Sequence, residues 1–196
     1  MPEQLLFAGI ADPPVVSEPT DRLFFAIRPE PIAPTLEHLA LGFRARHALT
    51  GRPLGADRFH VSLHCLGQYF GLPRSIVDRA RKAATGLAAP PFNVEFDRVL
   101  SFARGARERP LVLCGGTGLI ALKAFQRNLG HALTHADLGR FRMDGFTPHV
   151  TLLYDRQMVA EQDVEPVSWT VNEFVLVHSL VGKSQHLVLG RWPLRR

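Results

Sequence analysis

The same four-residue pattern, His-x-Ser/Thr-x, occurs twice in this chain of 196 residues, starting at His60 and again at His149. The two histidines are 89 positions apart, and each copy has the composition of a buried strand. Successive side chains of a strand point to opposite faces, so His60 shares a face with Ser62, and His149 shares one with Thr151. A fold that places the two copies side by side brings two imidazoles and two hydroxyls into one small volume.

The elements around the two copies repeat in the same order, which indicates a duplication. Each copy is preceded by an apolar strand and then by a helix with apolar residues at helical spacing. The distance from Leu23 to His60 is 37 positions and that from Leu111 to His149 is 38. The predicted elements of the two halves are a strand over residues 23–27, a helix around residues 36–43 and a strand over 59–66, then a strand over 111–114, a glycine turn at 115–118, a helix over 122–133 and a strand over 147–154.

Further elements flank these halves. The sequence predicts a helix with apolar residues from Ile76 to Leu87, a strand over residues 92–97, and two closing strands over 171–181 and 186–192 joined by a turn at 182–184. The fold class expected from this order is α+β. We expect a duplicated bilobal fold in which two antiparallel sheets face a central cleft and the helices pack outside.

Charge and composition favour a polyanionic partner. The formal net charge is +5, and the first twenty residues hold three acids, four prolines and no Lys or Arg, so the rest of the chain carries +8. We expect residues 1–20 to be a loosely ordered extension and residues 21–196 to be a single bilobal domain. The basic body is suited to RNA or another phosphorylated ligand.

No targeting segment is expected in this chain. The apolar stretch from Leu5 to Ala11 lacks a preceding basic region and runs into two prolines, so it resembles neither a signal peptide nor a membrane span. Cys65 and Cys114 lie in apolar runs without Cys-x-x-Cys spacing, and we expect them to be reduced core residues. The expectation is a cytoplasmic protein with no membrane partner and no obligate protein partner, and a monomer.

The sequence argues against three other chemistries. His60 and His64 have a zinc-like spacing, but on a strand they lie about 13 Å apart at ~3.3 Å per residue, too far for one ion, so no metal site is expected. Ser62 is not in the Gly-x-Ser-x-Gly turn of a serine hydrolase. The glycines at 115–118 could cradle a phosphate before a helix, but the Lys-Ser/Thr end of a P-loop is missing.

With these residues in place, the chain resembles the two-histidine phosphoesterase superfamily, and within it the RNA 2',3'-cyclic phosphodiesterase or 2'-5' RNA ligase family. The resemblance runs from Arg22 to the C-terminus and is carried by the segments at residues 22–27, 59–67 and 146–152. It implies a bilobal fold with both motifs in a central groove. It also implies hydrolysis of RNA 2',3'-cyclic phosphate ends to 2'-phosphate without metal or cofactor.

The residue types suit this reaction. Histidine titrates near neutral pH, so one imidazole can accept a proton from water while the other donates one to the leaving ribose oxygen. Ser62 and Thr151 can donate hydrogen bonds to phosphoryl oxygens as negative charge develops. By analogy with the family, His60 is the acid and His149 is the base.

Two positions depart from the family pattern. Family members often carry a basic residue where this chain has His64, and an arginine where it has Tyr154. By strand alternation His64 shares the face of His60 and Ser62, so His64 and Tyr154 are candidate substrate contacts. Two nearby basic residues, Arg142 and Arg156, are weaker candidates.

Other functions remain open at this level. The same site could cleave or ligate 2'-5' phosphodiesters, or act on another small cyclic phosphate. Alternatively, the groove could bind RNA without turnover, in which case binding would be salt-dependent and would survive loss of both motif histidines.

Overall fold

The computed structural model describes residues 19–103 and 108–195. The expected loose extension over residues 1–20 falls mostly on residues 1–18, which lie outside the described residues. The strands and helices are β1 (Asp21–Ile27), α1 (Ala33–Arg46), β2 (Val61–Tyr69), α2 (Arg74–Thr85), β3 (Phe92–Ser101), β4 (Arg109–Cys114), α3 (Ile120–His135), β5 (His149–Asp155), β6 (Gln162–Val171), β7 (Glu173–Leu180) and β8 (Gln185–Pro193).

The strands form two four-stranded sheets. The first has the order β2-β1-β7-β8 and the second has the order β5-β4-β3-β6. All pairings between neighbouring strands are antiparallel. The two motif strands, β2 and β5, are each an edge strand, and each pairs with the strand that opens its half of the chain. The predicted α+β fold of two antiparallel sheets with helices is therefore confirmed.

One continuous hydrophobic core joins the two halves. It contains apolar residues from both sheets and all three helices. Helix α1 contacts β5, and α3 contacts both β2 and β3, so each of these helices contacts the sheet of the other half. These contacts between the two halves fix the relative positions of the two motif strands.

A second, smaller apolar cluster lies on the opposite face of the first sheet. It consists of Phe24 and Ala26 from β1 and Val175 and Val177 from β7, with Val188 of β8 packed against it. Because alternate residues of a strand point to opposite faces, this cluster identifies the face of the first sheet that points away from the main core. We call it the cleft face.

One strand was missed from the sequence. Strand β6 contains Glu165 and Pro166, which weaken the strand pattern. The structure tolerates them because β6 is the edge strand of the second sheet, where proline does not need to donate a ladder hydrogen bond. In addition, no helix within residues 19–103 and 108–195 is long and apolar enough to cross a membrane.

Candidate active site

The two motif histidines are held by the same hydrogen bond. His60 lies directly before β2, and its Nδ1 is 2.7 Å from the carbonyl oxygen of Arg58. His149 is the first residue of β5, and its Nδ1 is 2.8 Å from the carbonyl oxygen of Thr147. In each case the carbonyl belongs to the residue two positions earlier. The two halves therefore orient their imidazoles in the same way.

This hydrogen bond selects the tautomer. A carbonyl oxygen only accepts, so each Nδ1 must carry the hydrogen and donate it. The nitrogen that gains or loses a proton is then Nε2 in both rings. A pair of imidazoles with matched tautomers can act as one proton donor and one proton acceptor.

Both motif strands contain a β-bulge at the motif leucine. In β2, Ser62 pairs with Ala26 and His64 pairs with Phe25, so Leu63 has no partner in β1. In β5, Thr151 pairs with Val112 and Leu153 pairs with Leu111, leaving Leu152 without a partner in β4. An extra residue on one strand reverses the faces of all residues that follow it. Each bulge therefore sends the motif hydroxyl and the residue three positions later to the same face.

The first bulge corrects the expectation for His64. Ser62 and Cys65 pair with Ala26 and Phe24 and so lie on the cleft face, whereas His64 pairs with Phe25 of the main core. His64 is fully buried. Its Nε2 donates to the carbonyl of Gln126 at 2.9 Å. Simple alternation was wrong here because it takes no account of the extra residue.

The bulge also accounts for the exposure of Cys65, one of the two cysteines. Cys65 is exposed, which contradicts the expected core position, because the bulge turns its thiol to the cleft face. Cys114 is buried as expected, and burial raises the pKa of its thiol to about 11.

The second bulge places Tyr154 with the motif side chains. His149, Thr151 and Tyr154 pair with Cys114, Val112 and Pro110, which alternate along β4 and therefore share one face. The Tyr154 side chain is 45% exposed. Its position in β5 corresponds to that of Cys65 in β2.

Aromatic rings surround both imidazoles. The centroid of the His60 ring lies 5.0 Å from that of Phe24 and 5.2 Å from that of His186, with His60 and His186 edge to face. The ring of His149 meets that of Phe102 edge to face at 4.9 Å. Each motif imidazole is thus packed against one phenylalanine.

The surroundings of His60 are positively charged. Burial is the main cause that lowers the pKa of His60 to about 4. The hydrogen bond to the Arg58 carbonyl opposes this, while the charges of His149, Arg58 and Arg28 lower the pKa further. Burial together with His60, Arg58 and Arg28 lowers the pKa of His186 to about 3. Such a site favours an anionic ligand, whose charge would offset these cations.

Sequence reasoning missed His186 and both of these arginines. Arg28 follows β1, and its Nη2 donates to the carbonyl of Asp57 at 3.0 Å. The Nε of Arg58 is buried and has no hydrogen-bond partner among the described residues. Arg58 could have been identified from the sequence. It lies two residues before His60, and a basic residue beside a phosphate-binding motif is a candidate substrate contact. His186 lies 126 positions after His60, and nothing in the sequence connects them.

The other predicted basic residues do not join the motifs. Arg142 is exposed, pairs with Asp144 at 3.1 Å, and lines a cavity of about 90 Å³ together with His64. That cavity lies on the core side of β2, away from Ser62. Arg156 is exposed and lines a different cavity, of about 550 Å³, together with Tyr154. Among residues 19–103 and 108–195, no group of three or more His, Cys, Asp or Glu side chains is arranged to hold a metal ion.

Comparisons with known proteins identify the family of this chain. Residues 29–183 match the family model of the 2'-5' RNA ligase superfamily. The RNA 2',3'-cyclic phosphodiesterase of Escherichia coli (strain K12) is 31% identical over 198 residues, which cover 91% of this chain and 99% of that protein.

This chain is also similar to solved structures. The crystal structure of E. coli LigT in apo form is 27% identical, has a TM-score of 0.64, and the match covers 92% of this chain and 100% of that chain. E. coli LigT complexed with 3'-AMP is 27% identical with a TM-score of 0.62 and the same coverage. The chain therefore belongs to the 2'-5' RNA ligase superfamily and is an enzyme of the phosphoesterase class.

Proposed function

We propose that this chain hydrolyses the 2',3'-cyclic phosphate at RNA ends to a 2'-phosphate, using His60 and His149 as acid and base and no metal ion. The observation that carries the proposal is the matched pair of Nδ1 hydrogen bonds, at 2.7 Å and 2.8 Å, which leaves Nε2 as the titrating atom of both rings. The influence of His149 on the pKa of His60 supports a shared site. The similarity to a relative named RNA 2',3'-cyclic phosphodiesterase supports the choice of substrate.

The proposed reaction needs one proton transfer at each ring. His149 Nε2 removes a proton from water while the water oxygen forms a bond to phosphorus. The bond between phosphorus and the ribose 3'-oxygen breaks, and His60 Nε2 gives that oxygen a proton. The products are a 2'-phosphate and a 3'-hydroxyl, and exchange with solvent restores both imidazoles.

Ser62 and Thr151 stabilise the developing charge in this proposal. Each hydroxyl lies on the same face as the histidine two residues before it, just ahead of the bulge that ends the alternation. Hydroxyl donors aimed at the phosphoryl oxygens lower the barrier because the charge on those oxygens grows in the transition state. The positive charges of Arg28 and Arg58 act in the same direction.

The acid role of His60 depends on the substrate. With a pKa of about 4, the ring of His60 is neutral near pH 7 in the free protein. A bound phosphodiester carries a negative charge, which offsets the charges of Arg28 and Arg58 and so raises the pKa of His60. In this scheme the substrate itself supplies the condition under which His60 holds a proton.

The test is hydrolysis of a nucleoside 2',3'-cyclic phosphate in the presence of EDTA. We expect turnover with a 2'-phosphate product, and a fall in kcat/KM of roughly 10²–10⁴-fold for His60→Gln and for His149→Gln. His38→Gln, at an exposed position of α1, is the matched control. Absence of turnover, or turnover only after a metal ion is added, would refute the proposal, and a 3'-phosphate product would refute the assigned bond cleavage.

A further inference from the structure

A large cavity lies at the C-terminal end of β5, beyond the motif residues. It has a volume of about 550 Å³, and its lining includes Tyr154, Arg156, Arg52 and Glu108. We call it the β5-end cavity. Arg52 belongs to the loop between α1 and β2, and this loop is fixed to β5 by a hydrogen bond from the Leu54 amide to the Leu152 carbonyl at 2.8 Å.

The cavity and the motif face of β5 have Tyr154 in common. Tyr154 lines the cavity and also shares its face of the sheet with His149 and Thr151, because of the bulge at Leu152. Without that extra residue, Tyr154 would point to the core side. Because of the bulge, one face of β5 carries the proposed catalytic residues at one end and Tyr154, which lines the cavity, at the other.

The distance suits an RNA chain that extends away from its reacting end. His149 and Tyr154 pair with Cys114 and Pro110, which are four positions apart along β4, so about 13 Å separates them along the strand at ~3.3 Å per residue. This corresponds to about four nucleotides of a stacked strand at ~3.4 Å each, and to fewer if the strand is extended. An oligonucleotide of a few residues can therefore contact His149 and the cavity at the same time.

The side chains that line the cavity are suited to binding a single-stranded nucleic acid. The partly exposed Tyr154 ring offers a surface on which a base can stack. Arg52 and Arg156 are exposed, and neither side chain has a hydrogen bond or an ion pair within residues 19–103 and 108–195. Both guanidinium groups are therefore available to phosphates.

Within residues 19–103 and 108–195, two carboxylates also line this cavity, and the charge of one of them is already compensated. Asp155 accepts hydrogen bonds from the amides of Thr50 and Gly51 at 2.7 Å and 2.6 Å, so those contacts already compensate its charge. Glu108 is exposed, and among the described lining residues it is the one carboxylate whose charge remains uncompensated. The balance of Arg52 and Arg156 against Glu108 is positive.

We propose that the β5-end cavity binds the nucleotides that precede the cyclic phosphate, with a base stacked on Tyr154 and phosphates held by Arg52 and Arg156. The inference rests on the proposed function and narrows its substrate class to oligoribonucleotides over mononucleotides. Every nucleotide before the cyclic end lies on its 5' side, so the cavity holds the strand that leads to the reacting end.

The first test is the ratio of kcat/KM for a hexanucleotide with a 2',3'-cyclic end to that for the matching cyclic mononucleotide. In the unmodified protein we expect a ratio of about 5 to 150, since stacking of one base contributes ~1–3 kcal/mol. Tyr154→Ala should reduce the ratio towards 1, and Tyr154→Phe should retain it because the ring remains.

The second test concerns the arginines. Removing two phosphate contacts with Arg52→Ala and Arg156→Ala together should reduce the slope of log affinity against log salt by about 1.4 for a hexanucleotide. The matched control is Arg74→Ala, at an exposed position of α2. Binding of a labelled hexanucleotide with a 2'-phosphate end, followed by fluorescence anisotropy, gives this slope even without turnover.

The outcomes separate the two proposals. A mononucleotide that is hydrolysed, with a ratio near 1 in the unmodified protein or an unchanged ratio in Tyr154→Ala, overturns the cavity inference and leaves the proposed function intact. Failure of both substrates to react overturns the proposed function. In that case, an unchanged salt slope in the double arginine variant also overturns the cavity inference.

Discussion

The rings of His60 and His186 meet edge to face with their centroids 5.2 Å apart. His186 comes from β8, at the far side of the first sheet from β2. Each imidazole would be destabilised by a proton on the other, and the positive charges of Arg28 and Arg58 act on both rings. The pair is therefore neutral in the free protein at neutral pH.

We expect the His60 imidazole to titrate near pH 4 in the free protein and at a higher pH after binding of a nucleoside 2'-phosphate. The bound anion offsets the surrounding positive charge and favours the protonated ring. An NMR titration of the histidine ring signals with and without the nucleotide measures both values, and His60→Gln assigns the signal. A free-protein pKa near the ordinary value of 6.5 would contradict the electrostatic description of the site.

His60 and His186 should make the folded protein less stable at acidic pH. Because the pKa values of His60 and His186 are lowered to about 4 and about 3 in the folded state, the unfolded chain binds more protons below the ordinary pKa of 6.5. The free energy of unfolding should therefore fall as the pH drops from about 6.5 towards 4. The buried His64, whose pKa burial also lowers, contributes with the same sign.

Urea denaturation across this pH range measures the effect. His186→Phe keeps an aromatic ring beside His60 but removes one titrating group, so its stability should depend less steeply on pH. Identical pH dependence in the variant and in the unmodified protein would show that His186 is not desolvated as described.

Asp155 should be important for stability because it fixes the loop before the first motif to β5. Burial alone would raise the pKa of this carboxyl, but amide donors from Gln157, Gly51 and Thr50 and the Thr50 hydroxyl hold it below the ordinary value. Asp155→Ala leaves these donors without their acceptor, and we expect a loss of about 2–4 kcal/mol in the free energy of unfolding.

Asp155→Asn is the informative comparison, because it retains one acceptor oxygen and should cost less than the alanine variant. The lowered pKa also means that the contribution of Asp155 is present above about pH 4 and is lost as the pH falls through its folded-state pKa. If both variants unfold at the same denaturant concentration as the unmodified protein, the loop does not depend on this carboxylate.

His64 should behave as a structural residue. Its Nε2 donates to the Gln126 carbonyl at 2.9 Å, and its Nδ1 accepts from the Met143 amide at 3.3 Å, so both ring nitrogens have partners. His64→Ala should therefore lower the free energy of unfolding by about 2–3 kcal/mol, through a cavity and two unsatisfied backbone groups. Cys65→Ser, at the exposed neighbouring position, should change it by less than about 0.5 kcal/mol. Unchanged stability with a raised KM in His64→Ala would instead place His64 among the substrate contacts.

The sequence predicted the architecture because the signals were local and repeated. Apolar strands, amphipathic helices and the two motif copies occur in the same order in both halves, and the structure has them in equivalent places, with β2 and β5 at the edges of the two sheets. Among the strands of the described residues, β6 is the one that was missed, because Glu165 and Pro166 weaken its strand pattern.

The sequence could not predict the face of a residue that follows a bulge. Leu63 and Leu152 carry no glycine or other sign of an extra residue, and strict alternation placed His64 in the cleft. A bulge depends on the pairing of two distant strands, so it is a property of the assembled sheet.

By itself, the sequence determined that two imidazoles and two hydroxyls occur in duplicated strands, since this follows from residue order and the two-residue period of a strand. Only the tertiary structure decided which other groups join them. His186, Arg28 and Arg58 lie near His60, and Tyr154 lies on the His149 face, because sheet pairing, bulges and loop closure bring distant parts of the chain together. No local pattern encodes such contacts, because they depend on the packing of the whole fold.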